Sequence, residues 1–242
     1  MNHRLLKIII IGATSGIGKS LAELFLREGY LVGMTGRREE ILQSIRAAYS
    51  GQAVTMKMDV QNLAEIESIC SELVEQLGGL DLVIISAGIG EENKDLKFEI
   101  ENSVIRTNIQ GFTCVADWAM RYFKDQGHGH LVNMSSIAGI RGNGIAPSYN
   151  ATKAYQINYL EGLRLNACKS ARNIYVTDVR PGFVDTAMAK GDGMFWVAPV
   201  EKAAQQIFDA IKRKKKTVYI TKRWRLIGYM LKLLPYSVLK NI

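Results

Sequence analysis

Residues 7–18 read Lys-Ile-Ile-Ile-Ile-Gly-Ala-Thr-Ser-Gly-Ile-Gly, a run of four isoleucines followed at once by a turn with three glycines. A continuous β-branched run is typical of a strand that is buried on both faces of a parallel sheet. Apolar residues at helical spacing follow over Gly16–Glu28. The stretch therefore predicts the first strand, a glycine-rich turn and the first helix of a βαβ unit.

Strand-like and helical segments alternate along the rest of the chain. We expect further strands at Tyr30–Thr35, Ala53–Met58, Asp81–Ile85, His130–Met134, Ile174–Val179 and Thr217–Ile220. We expect further helices at Arg38–Tyr49, Asn62–Leu77, about Val104–Asp125, Ser148–Ala171 and Val200–Lys214. The alternation predicts a Rossmann-like, doubly wound α/β fold, with a parallel sheet of about seven strands and helices on both faces. Ligands of such folds bind beyond the carboxyl ends of the strands.

Composition favours a single domain. Of the 242 residues, 48% are hydrophobic and 22% charged, which is ordinary for a globular chain. We find no repeat and no linker-like tract, so we expect one domain over residues 1–221 and a basic extension over 222–242. The three cysteines lie outside metal-ligand spacing and are interpreted as reduced, mostly buried thiols of a cytosolic protein. No apolar stretch reaches the roughly 20 residues that span a bilayer.

The net charge of +8 is unevenly distributed. Residues 212–242 contain ten Lys or Arg and no Asp or Glu, so the preceding 211 residues carry 21 basic and 23 acidic groups, a net of −2. A near-neutral body argues against nucleic acid as a partner. The basic tail therefore needs a separate explanation.

The glycine-rich turn is a candidate phosphate cradle. Such a turn lets the backbone approach a pyrophosphate closely and directs a helix N-terminus at it. A tight turn that binds nothing is the alternative, but its place between the first strand and the first helix favours the cradle. The candidate cofactor-binding residues here are Gly12, Thr14, Ser15, Gly16, Ile17 and Gly18.

The end of the second strand indicates which cofactor is preferred. NAD-selective sites place a carboxylate there for the ribose 2′-hydroxyl, whereas this chain has Arg37 and Arg38. Guanidinium groups bind a 2′-phosphate bidentately, so we predict NADP(H) over NAD(H). Two solvated arginines at a helix start are the alternative. Asp59 and Val60, which close the third strand, are candidates for adenine contact, although Asp59 could equally cap a helix.

Tyr149 and Lys153 are candidate catalytic residues, because four-residue spacing places both on one face of a predicted helix. A free tyrosine titrates near pH ~10, and a neighbouring ammonium lowers that pKa towards neutrality. Upstream, Ser135 and Ser136 follow a predicted strand, where a serine hydroxyl could bind a substrate oxygen. This combination suits hydride transfer, which needs a donor to polarise a carbonyl and a group to exchange its proton. A surface Tyr/Lys pair is the alternative.

Taken together, these motifs resemble the short-chain dehydrogenase/reductase family. The resemblance runs from about Lys7 to Ile220 and rests on the order and spacing of the Gly12–Gly18 turn, Asn108, Ser136, Tyr149, Lys153 and Pro181-Gly-Phe-Val-Asp-Thr186. Ser136 is chosen over Ser135 because it stands 13 residues before Tyr149, the usual family interval.

The resemblance implies specific roles for these residues. Tyr149 would be the general acid/base, Lys153 would lower its pKa and bind the nicotinamide ribose, and Ser136 would orient the substrate oxygen. Asn108 is similar to the family asparagine that holds a water linking Lys153 to solvent. Further cofactor contacts would come from Ala87, Gly88, Pro181, Gly182, Val184 and Thr186. The family commonly has Asn-Ala-Gly where this chain has Ser86-Ala87-Gly88, which puts local stability in doubt more than catalysis.

The segment Ala187–Pro199 corresponds to the family's substrate lid. Gly191 and Gly193 beside Met194-Phe195-Trp196 suit either a mobile flap over an apolar or lipid-like substrate or a packed aromatic patch. In the tail, basic residues and apolar residues share the stretch Lys222–Pro235. It fits an interfacial helix on an anionic membrane, a helix over the substrate cleft, or a helix against a second subunit.

The sequence thus predicts an NADP(H)-dependent oxidoreductase acting on a carbonyl or secondary alcohol. A non-catalytic NADPH-binding regulator and a membrane-surface interaction protein are the rival functions. The expected location is cytoplasmic, with peripheral membrane contact through the tail as an alternative. Resemblance to the family also implies a homodimer or homotetramer, formed through the long helices at about 104–125 and 148–171.

Overall fold

The computed structural model describes residues 6–170, 173–188 and 194–239. The strands are β1 (Lys7–Ile11), β2 (Leu31–Gly36), β3 (Ala53–Lys57), β4 (Leu82–Ile85), β5 (His128–Met134), β6 (Asn173–Pro181) and β7 (Thr217–Ile220). The helices are α1 (Gly16–Arg27), α2 (Glu39–Ala48), α3 (Leu63–Leu77), α4 (Phe98–Ile105), α5 (Phe112–Gln126), α6 (Pro147–Ser170), α7 (Val200–Lys212), α8 (Trp224–Leu233) and α9 (Tyr236–Leu239). A π-helical turn, Arg106–Gly111, joins α4 to α5, and a 3₁₀ turn, Ile137–Ile140, follows β5.

All seven strands form one parallel sheet in the order β3-β2-β1-β4-β5-β6-β7. The chain winds outward from β1 through β2 to β3, then crosses back to β4 and winds out on the other side. The order therefore reverses between β1 and β4, where a crevice opens at the carboxyl ends of the strands. This confirms the predicted doubly wound α/β fold with a Rossmann-like sheet.

The sheet is buried on both faces, as the isoleucine run predicts. Ile8 and Ile10 belong to a core cluster with residues of α1, α2 and α7, whereas Ile9 and Ile11 belong to a second cluster with α3, α5 and α6. All four isoleucines are fully buried. Each contributes roughly 1.5–3 kcal/mol through burial. This double-sided core fixes β1 and therefore the position of the turn that follows it.

The helix predicted at about Val104–Asp125 differs from the structure. The helical segment begins at Phe98 and is interrupted by the π-helical turn Arg106–Gly111. The first residues of α4 escaped prediction because they are largely exposed, Phe98 by 70%, and so form no apolar stripe. The other predicted boundaries agree within two residues, including those of β6, which extends to Pro181.

The cysteine prediction was wrong for one residue. Cys70 is buried and Cys114 is half-buried, but Cys168 is exposed on α6. All three are free thiols.

The basic tail forms helix α8, which packs against the body beside the 3₁₀ turn. Gly228 allows a close approach, since a Cβ at this position would lie 2.9 Å from Ile140 Cδ1. Arg141 donates through Nε to the carbonyl of Leu231 at 2.8 Å and through Nη2 to that of Leu234 at 2.6 Å, which ties down the end of the helix. No helix within the described ranges is long and apolar enough to cross a bilayer.

Candidate active site

The glycine turn after β1 lies against the turn after β4, and their close approach requires glycine, which has no side chain. Gly12 has a φ of +88°, and a Cβ there would come within 2.6 Å of the amide of Ala87. A Cβ on Gly18 would lie 2.1 Å from the carbonyl of Gly12 and 2.9 Å from Ser86 Oγ. The two turns therefore meet over main chain at the crevice between β1 and β4. Ser86, which departs from the family pattern, packs directly against Gly18.

The cradle leaves main-chain donors for a ligand. Helix α1 begins at Gly16, and its N-cap Ser15 makes no side-chain capping bond. Its first turn also lacks an acidic residue. The amino-terminal N–H groups of a helix attract phosphate. Residues 12–18 therefore fit a pyrophosphate, with Thr14 buried, Ser15 exposed and Ile17 packed against the core.

Arg38 reaches back over the cradle. Its Nη2 donates to the carbonyl of Thr14 at 2.9 Å and lies 3.2 Å from Thr14 Oγ1. Gly36 makes room for Thr14, because a Cβ at Gly36 would lie 2.5 Å from Thr14 Cγ2. Arg37 is exposed beside it. The Arg38 guanidinium thus lies at the edge of the cradle, with Arg37 exposed next to it in the chain and no acidic residue at either position.

Asp59 and Val60 lie in the turn after β3. Asp59 Oδ1 accepts a hydrogen bond from the amide of Gln61 at 3.0 Å, whereas Asn62 is the N-cap of α3. The alternative of Asp59 as the helix cap was therefore wrong. Val60 is buried against Gly111, where a Cβ would come within 2.5 Å of the Val60 carbonyl. The turn is fixed by main-chain packing.

Tyr149 and Ser136 meet at the carboxyl end of β5. Burial raises the pKa of Tyr149, and a hydrogen bond with the Ser136 side chain lowers it by a smaller amount. Ser136 begins the 3₁₀ turn, and its Oγ accepts from the amide of Ala138 at 3.1 Å. The tyrosine ring lies against Gly90, where a Cβ would come within 2.8 Å of Cδ2. The serine hydroxyl and the phenol are therefore positioned as one pair.

Lys153 lies one turn further along α6, with its Nζ 5.8 Å from the centroid of the Tyr149 ring. Nζ donates to the carbonyl of Met134 at 2.8 Å and to Gln156 Oε1 at 3.0 Å. Burial lowers the pKa of Lys153 to about 8, against the opposing charge of Asp178. We expected Lys153 to lower the pKa of Tyr149 overall. The net direction is instead upward, because burial dominates at Tyr149.

Asn108 stands within the π-helical turn and is fully buried. Its side chain brackets Ile89, accepting from the amide at 2.9 Å and donating to the carbonyl at 2.7 Å. It also donates to Thr152 Oγ1 at 3.1 Å. Gly88 lies close by, since a Cβ there would sit 3.4 Å from both Asn108 Oδ1 and Lys153 Nζ. Asn108 therefore fixes the turn after β4 against α6.

Ser135 faces away from Tyr149. Its Oγ donates to the buried carboxylate of Asp178 and to the carbonyl of Val179 at 3.0 Å. Asp178 also accepts from Arg180 Nε at 2.6 Å. The sequence reasoning missed Asp178, which joins β5 to β6 beneath the site. A buried carboxylate inside a predicted strand was the signal that could have identified it.

Gly139 and Asn150 hold the 3₁₀ turn against α6, and sequence reasoning missed both. A Cβ on Gly139 would lie 2.6 Å from the carbonyl carbon of Lys153. Asn150 Nδ2 donates to the carbonyls of Ala138 and Arg141 at 2.8 and 2.9 Å. These contacts fix the spacing of Ser136 from Tyr149 and Lys153. Asn150 follows Tyr149 directly, but its partners become evident only once the turn is folded.

The loop after β6 completes the rim of the cleft. Pro181 ends β6, and Gly182 donates to the carbonyl of Ile220 at 2.7 Å. Val184 is buried and pairs with Ala198. Thr186 faces the glycine turn, since a Cβ on Gly16 would lie 3.1 Å from Thr186 Cγ2. The structure thus brings this loop to the cradle.

Four aromatic side chains form a cluster beside this loop. Trp224 of α8 is buried directly on Gly182, where a Cβ would overlap its indole. Phe183, Phe195 and Trp196 surround it, with ring centroids 5.4, 5.1 and 6.1 Å from that of Trp224. This supports the packed-patch interpretation, although Phe195 and Trp196 remain nearly half exposed. The proposed hinges Gly191 and Gly193 lie outside the described residues.

These features define a class of protein. A glycine turn that opens a helix N-terminus and a serine–tyrosine–lysine group share one edge of a doubly wound sheet, which fits an oxidoreductase with a dinucleotide cofactor. Within the described residues, no three His, Cys, Asp or Glu side chains gather to hold a metal ion.

Comparison with known proteins agrees with the assignment to the oxidoreductases. Residues 7–194 match the short chain dehydrogenase family model. An uncharacterised oxidoreductase of Staphylococcus aureus (strain USA300) is 34% identical over 183 residues, covering 74% of this chain and 78% of that protein. The chain therefore belongs to the short-chain dehydrogenase/reductase family and is an oxidoreductase of that family.

Solved structures share the fold. The closed form of serine dehydrogenase complexed with NADP+ superimposes with a TM-score of 0.81 at 24% identity, covering 88% of this chain and 94% of that one. A short chain dehydrogenase/reductase from Burkholderia phymatum in complex with NAD has a TM-score of 0.85 at 18% identity, covering 95% and 93%. Folds of this type thus hold either nicotinamide cofactor.

Proposed function

We propose that the chain is an NADP(H)-dependent enzyme that interconverts a carbonyl and a secondary alcohol. The observation that carries this proposal is that Ser136, Tyr149 and Lys153 meet at the carboxyl end of β5, with Lys153 Nζ 5.8 Å from the centroid of the Tyr149 ring. When bound, the nicotinamide would supply or accept the hydride. The loop at 181–186, the Gly12–Gly18 turn and the Ser86–Gly88 turn would hold it, with Asp59 and Val60 nearer the adenine.

In reduction, Tyr149 donates its proton to the substrate oxygen while Ser136 holds that oxygen by a hydrogen bond. The raised pKa of Tyr149 keeps the phenol protonated near neutrality, as a proton donor requires. Lys153 stabilises the negative charge that develops on the phenol oxygen as the proton leaves. In oxidation the same groups work in reverse, and Tyr149 removes the hydroxyl proton. Asn108 and Asp178 keep these groups in place.

The test is oxidation of NADPH, followed by nicotinamide absorbance, with ketones and aldehydes graded from small and polar to steroid-sized and long-chain. Wild type and Tyr149→Phe are compared in parallel. We expect turnover that depends on Tyr149. A wild type that binds NADPH but is no faster than Tyr149→Phe with every substrate would contradict the proposal and favour a non-catalytic regulator.

The preference for NADP(H) rests on Arg37 and Arg38 at the edge of the cradle. A double Ala variant is expected to raise the KM for NADPH by about 10- to 100-fold and leave that for NADH nearly unchanged, since only NADPH carries the 2′-phosphate. Arg46→Ala, on the exposed side of α2, which follows these two arginines, is the matched control. Equal effects on both cofactors would contradict the preference.

An apolar substrate is supported by the aromatic side chains at the rim. Phe183, Phe195 and Trp196 present partly exposed rings beside the Gly182 loop. Phe195→Ala is expected to raise the KM for long-chain ketones several-fold and to leave that for small ketones unchanged. If the two substrate classes respond alike, the substrate is not chosen by this surface.

The outer face of α8 supports peripheral contact with an anionic membrane. This helix has a second apolar stripe opposite its packed face, formed by Leu226, Met230 and Leu233, with Leu233 84% exposed. Arg223, Arg225 and Lys232 flank it, and residues 222–239 contain no acidic side chain. Two such positive surfaces would repel each other, so anionic lipid is favoured over a second copy of this face.

Vesicle co-sedimentation tests this contact. Wild type is expected to bind vesicles containing phosphatidylserine far better than purely phosphatidylcholine vesicles. Changing Leu226, Met230 and Leu233 together to Ser should abolish binding without altering the melting temperature, because the side chains are exposed. Leu63→Ser, at another exposed leucine, is the control. Binding that survives the triple change contradicts the membrane role.

We place the catalytic domain at residues 1–221. Its free thiols favour the cytoplasm as its location. We assign self-association to the surface formed by α5 and α6. The groove between these helices is lined by Asp117, Met120, Tyr159 and Leu163. Leu165 of α6 is also 62% exposed. Light scattering should report a dimer or tetramer that Leu165→Glu weakens. A monomeric wild type would contradict this interface.

A further inference from the structure

A glutamine occupies the space between Lys153 and Asn108. Gln156 follows Lys153 by three residues on α6, so the two side chains share a face of the helix. Gln156 is fully buried. Its Oε1 accepts from Lys153 Nζ at 3.0 Å and its Nε2 donates to the main-chain carbonyl of Asn108 at 2.8 Å. One amide thus spans both groups.

The Asn108 carbonyl is available because of the π-helical turn. In an α-helix, the amide of Phe112 would donate to the carbonyl of Asn108. Here it donates to the carbonyls of Ile109 and Thr107. The Gln156 amide then supplies a donor to the carbonyl that this change releases. Asn133 adds a second donor to Gln156, through Nδ2 to Oε1 at 3.1 Å.

We propose that Gln156 is a positioning residue that holds the Lys153 ammonium beside Tyr149 by bridging it to the Asn108 carbonyl, in the place that the family resemblance gives to a water. This inference rests on the proposed roles of Tyr149 and Lys153. The family resemblance implies a bridging water, which can both donate and accept hydrogen bonds. The Gln156 amide differs, because its oxygen only accepts hydrogen bonds and its nitrogen only donates them.

The bridge has a consequence for the proton balance. In reduction the Tyr149 O–H bond breaks, its proton goes to the substrate oxygen and the hydride goes to the carbonyl carbon. Tyr149 must then recover one proton. A water at the bridge could pass a proton towards Lys153, whereas an amide cannot do so while it stays neutral. Tyr149 therefore recovers its proton by a route that does not pass through Gln156.

Two substitutions give opposite expected shifts at Lys153. Gln156→Leu removes an acceptor from the buried ammonium, so its pKa should fall by about one unit, whereas Gln156→Glu adds a facing carboxylate and should raise it by about one unit. NMR titration of carbon-labelled lysine in the cofactor-free protein measures this directly, with Lys153→Arg identifying the signal. Lack of opposite shifts would overturn the contact, whether or not the enzyme turns over.

A third variant tests replacement of the water. Gln156→Ala leaves space for a water between Lys153 and Asn108, whereas Gln156→Leu fills the same space with carbon. We expect kcat of the Ala variant to stay within about 10-fold of wild type and that of the Leu variant to fall by about 100-fold. A purely structural role predicts the reverse, since the larger truncation leaves the larger cavity.

The controls separate this inference from the proposed function. Gln126→Leu removes an amide with two main-chain acceptors, Leu80 and His128, at the opposite edge of the sheet, and should leave kcat unchanged. If Gln156→Leu fails to fold, the Ala and Glu variants still decide. Absence of turnover in wild type would contradict the proposed function, whereas a Leu variant as active as the Ala variant would contradict the role of Gln156.

Discussion

The glycine turn after β1 and the polar layer around Lys153 lie at the same edge of the sheet but are built differently. The turn is shaped by main chain and by missing side chains, with Gly18 against the Gly12 carbonyl. The polar layer consists of side chains from distant parts of the chain, among them Asp178, Gln156 and Asn133. The first can be disrupted by adding one carbon, whereas the second fails when one partner is removed.

The largest effect is expected at Gly18. Its replacement by Ala puts a methyl group 2.1 Å from the Gly12 carbonyl oxygen, so the turn must open. NADPH binding should weaken by at least about 100-fold, as measured by titration calorimetry. Gly162→Ala is the control, because nothing lies within 4 Å of a Cβ there. A Gly18→Ala protein that binds normally would show that the cradle does not require this close contact.

Asp178→Asn tests the polar layer. The change removes the negative charge of the carboxylate that accepts from Ser135 and Arg180, which leaves the largely buried guanidinium poorly compensated. The free energy of unfolding should fall by about 3 kcal/mol in a urea titration. Asp185→Asn, at an exposed position, should change it by less than about 0.5 kcal/mol. If the two substitutions prove equivalent, the layer is not held by this carboxylate.

A titration of the free energy of unfolding against pH tests a second buried side chain that pairs β5 with β6, His130. Burial lowers the pKa of His130 to about 4, below its ordinary value of 6.5, and its Nε2 lies 2.8 Å from Thr177 Oγ1. The unfolded chain then binds the proton more readily. Stability is full above pH 6.5 and declines as the pH falls towards 4, by up to about 3 kcal/mol. His130→Gln should flatten this decline, whereas His128→Gln should preserve it; equal slopes would contradict the assignment.

The smallest effect is expected where the tail meets the body. Arg141→Ala removes two hydrogen bonds to the end of α8, at Leu231 and Leu234. Because the contact is exposed, global stability should change by no more than about 1 kcal/mol. Hydrogen exchange in α8 should nevertheless accelerate relative to α7. Unchanged exchange would mean that Trp224 and Gly228 alone hold the helix.

The comparison also explains what the sequence could predict. The isoleucine run identified β1 because both faces of a central strand require apolar residues, and the glycines identified the turn because Gly12 and Gly18 lie too close to main chain to carry a Cβ. Local patterns of this kind carried the alternation of helices and strands, and hence the fold. Tyr149 and Lys153 stood out as candidates for the same reason, since four-residue spacing is local.

Long-range pairings left no such pattern. Asp178 stands 43 residues from Ser135, and Trp224 lies on Gly182 from a separate helix. The start of α4 was not predicted because its first residues are exposed and form no apolar stripe. No apolar periodicity in the sequence indicates the π-helical turn at Asn108. Gln156 stands only three residues after Lys153, but that spacing alone did not mark it as part of the site. No pattern in the sequence indicated its partner, the Asn108 carbonyl.

The most direct test of the account is kcat and NADPH affinity measured side by side for wild type and Tyr149→Phe. Loss of the phenol oxygen should lower kcat for carbonyl reduction by about 10²- to 10⁴-fold, because proton donation is lost. The dissociation constant for NADPH should stay within about threefold, since the ring still packs against Gly90. A Tyr149→Phe enzyme with wild-type kcat would contradict the assignment of Tyr149 as the proton donor.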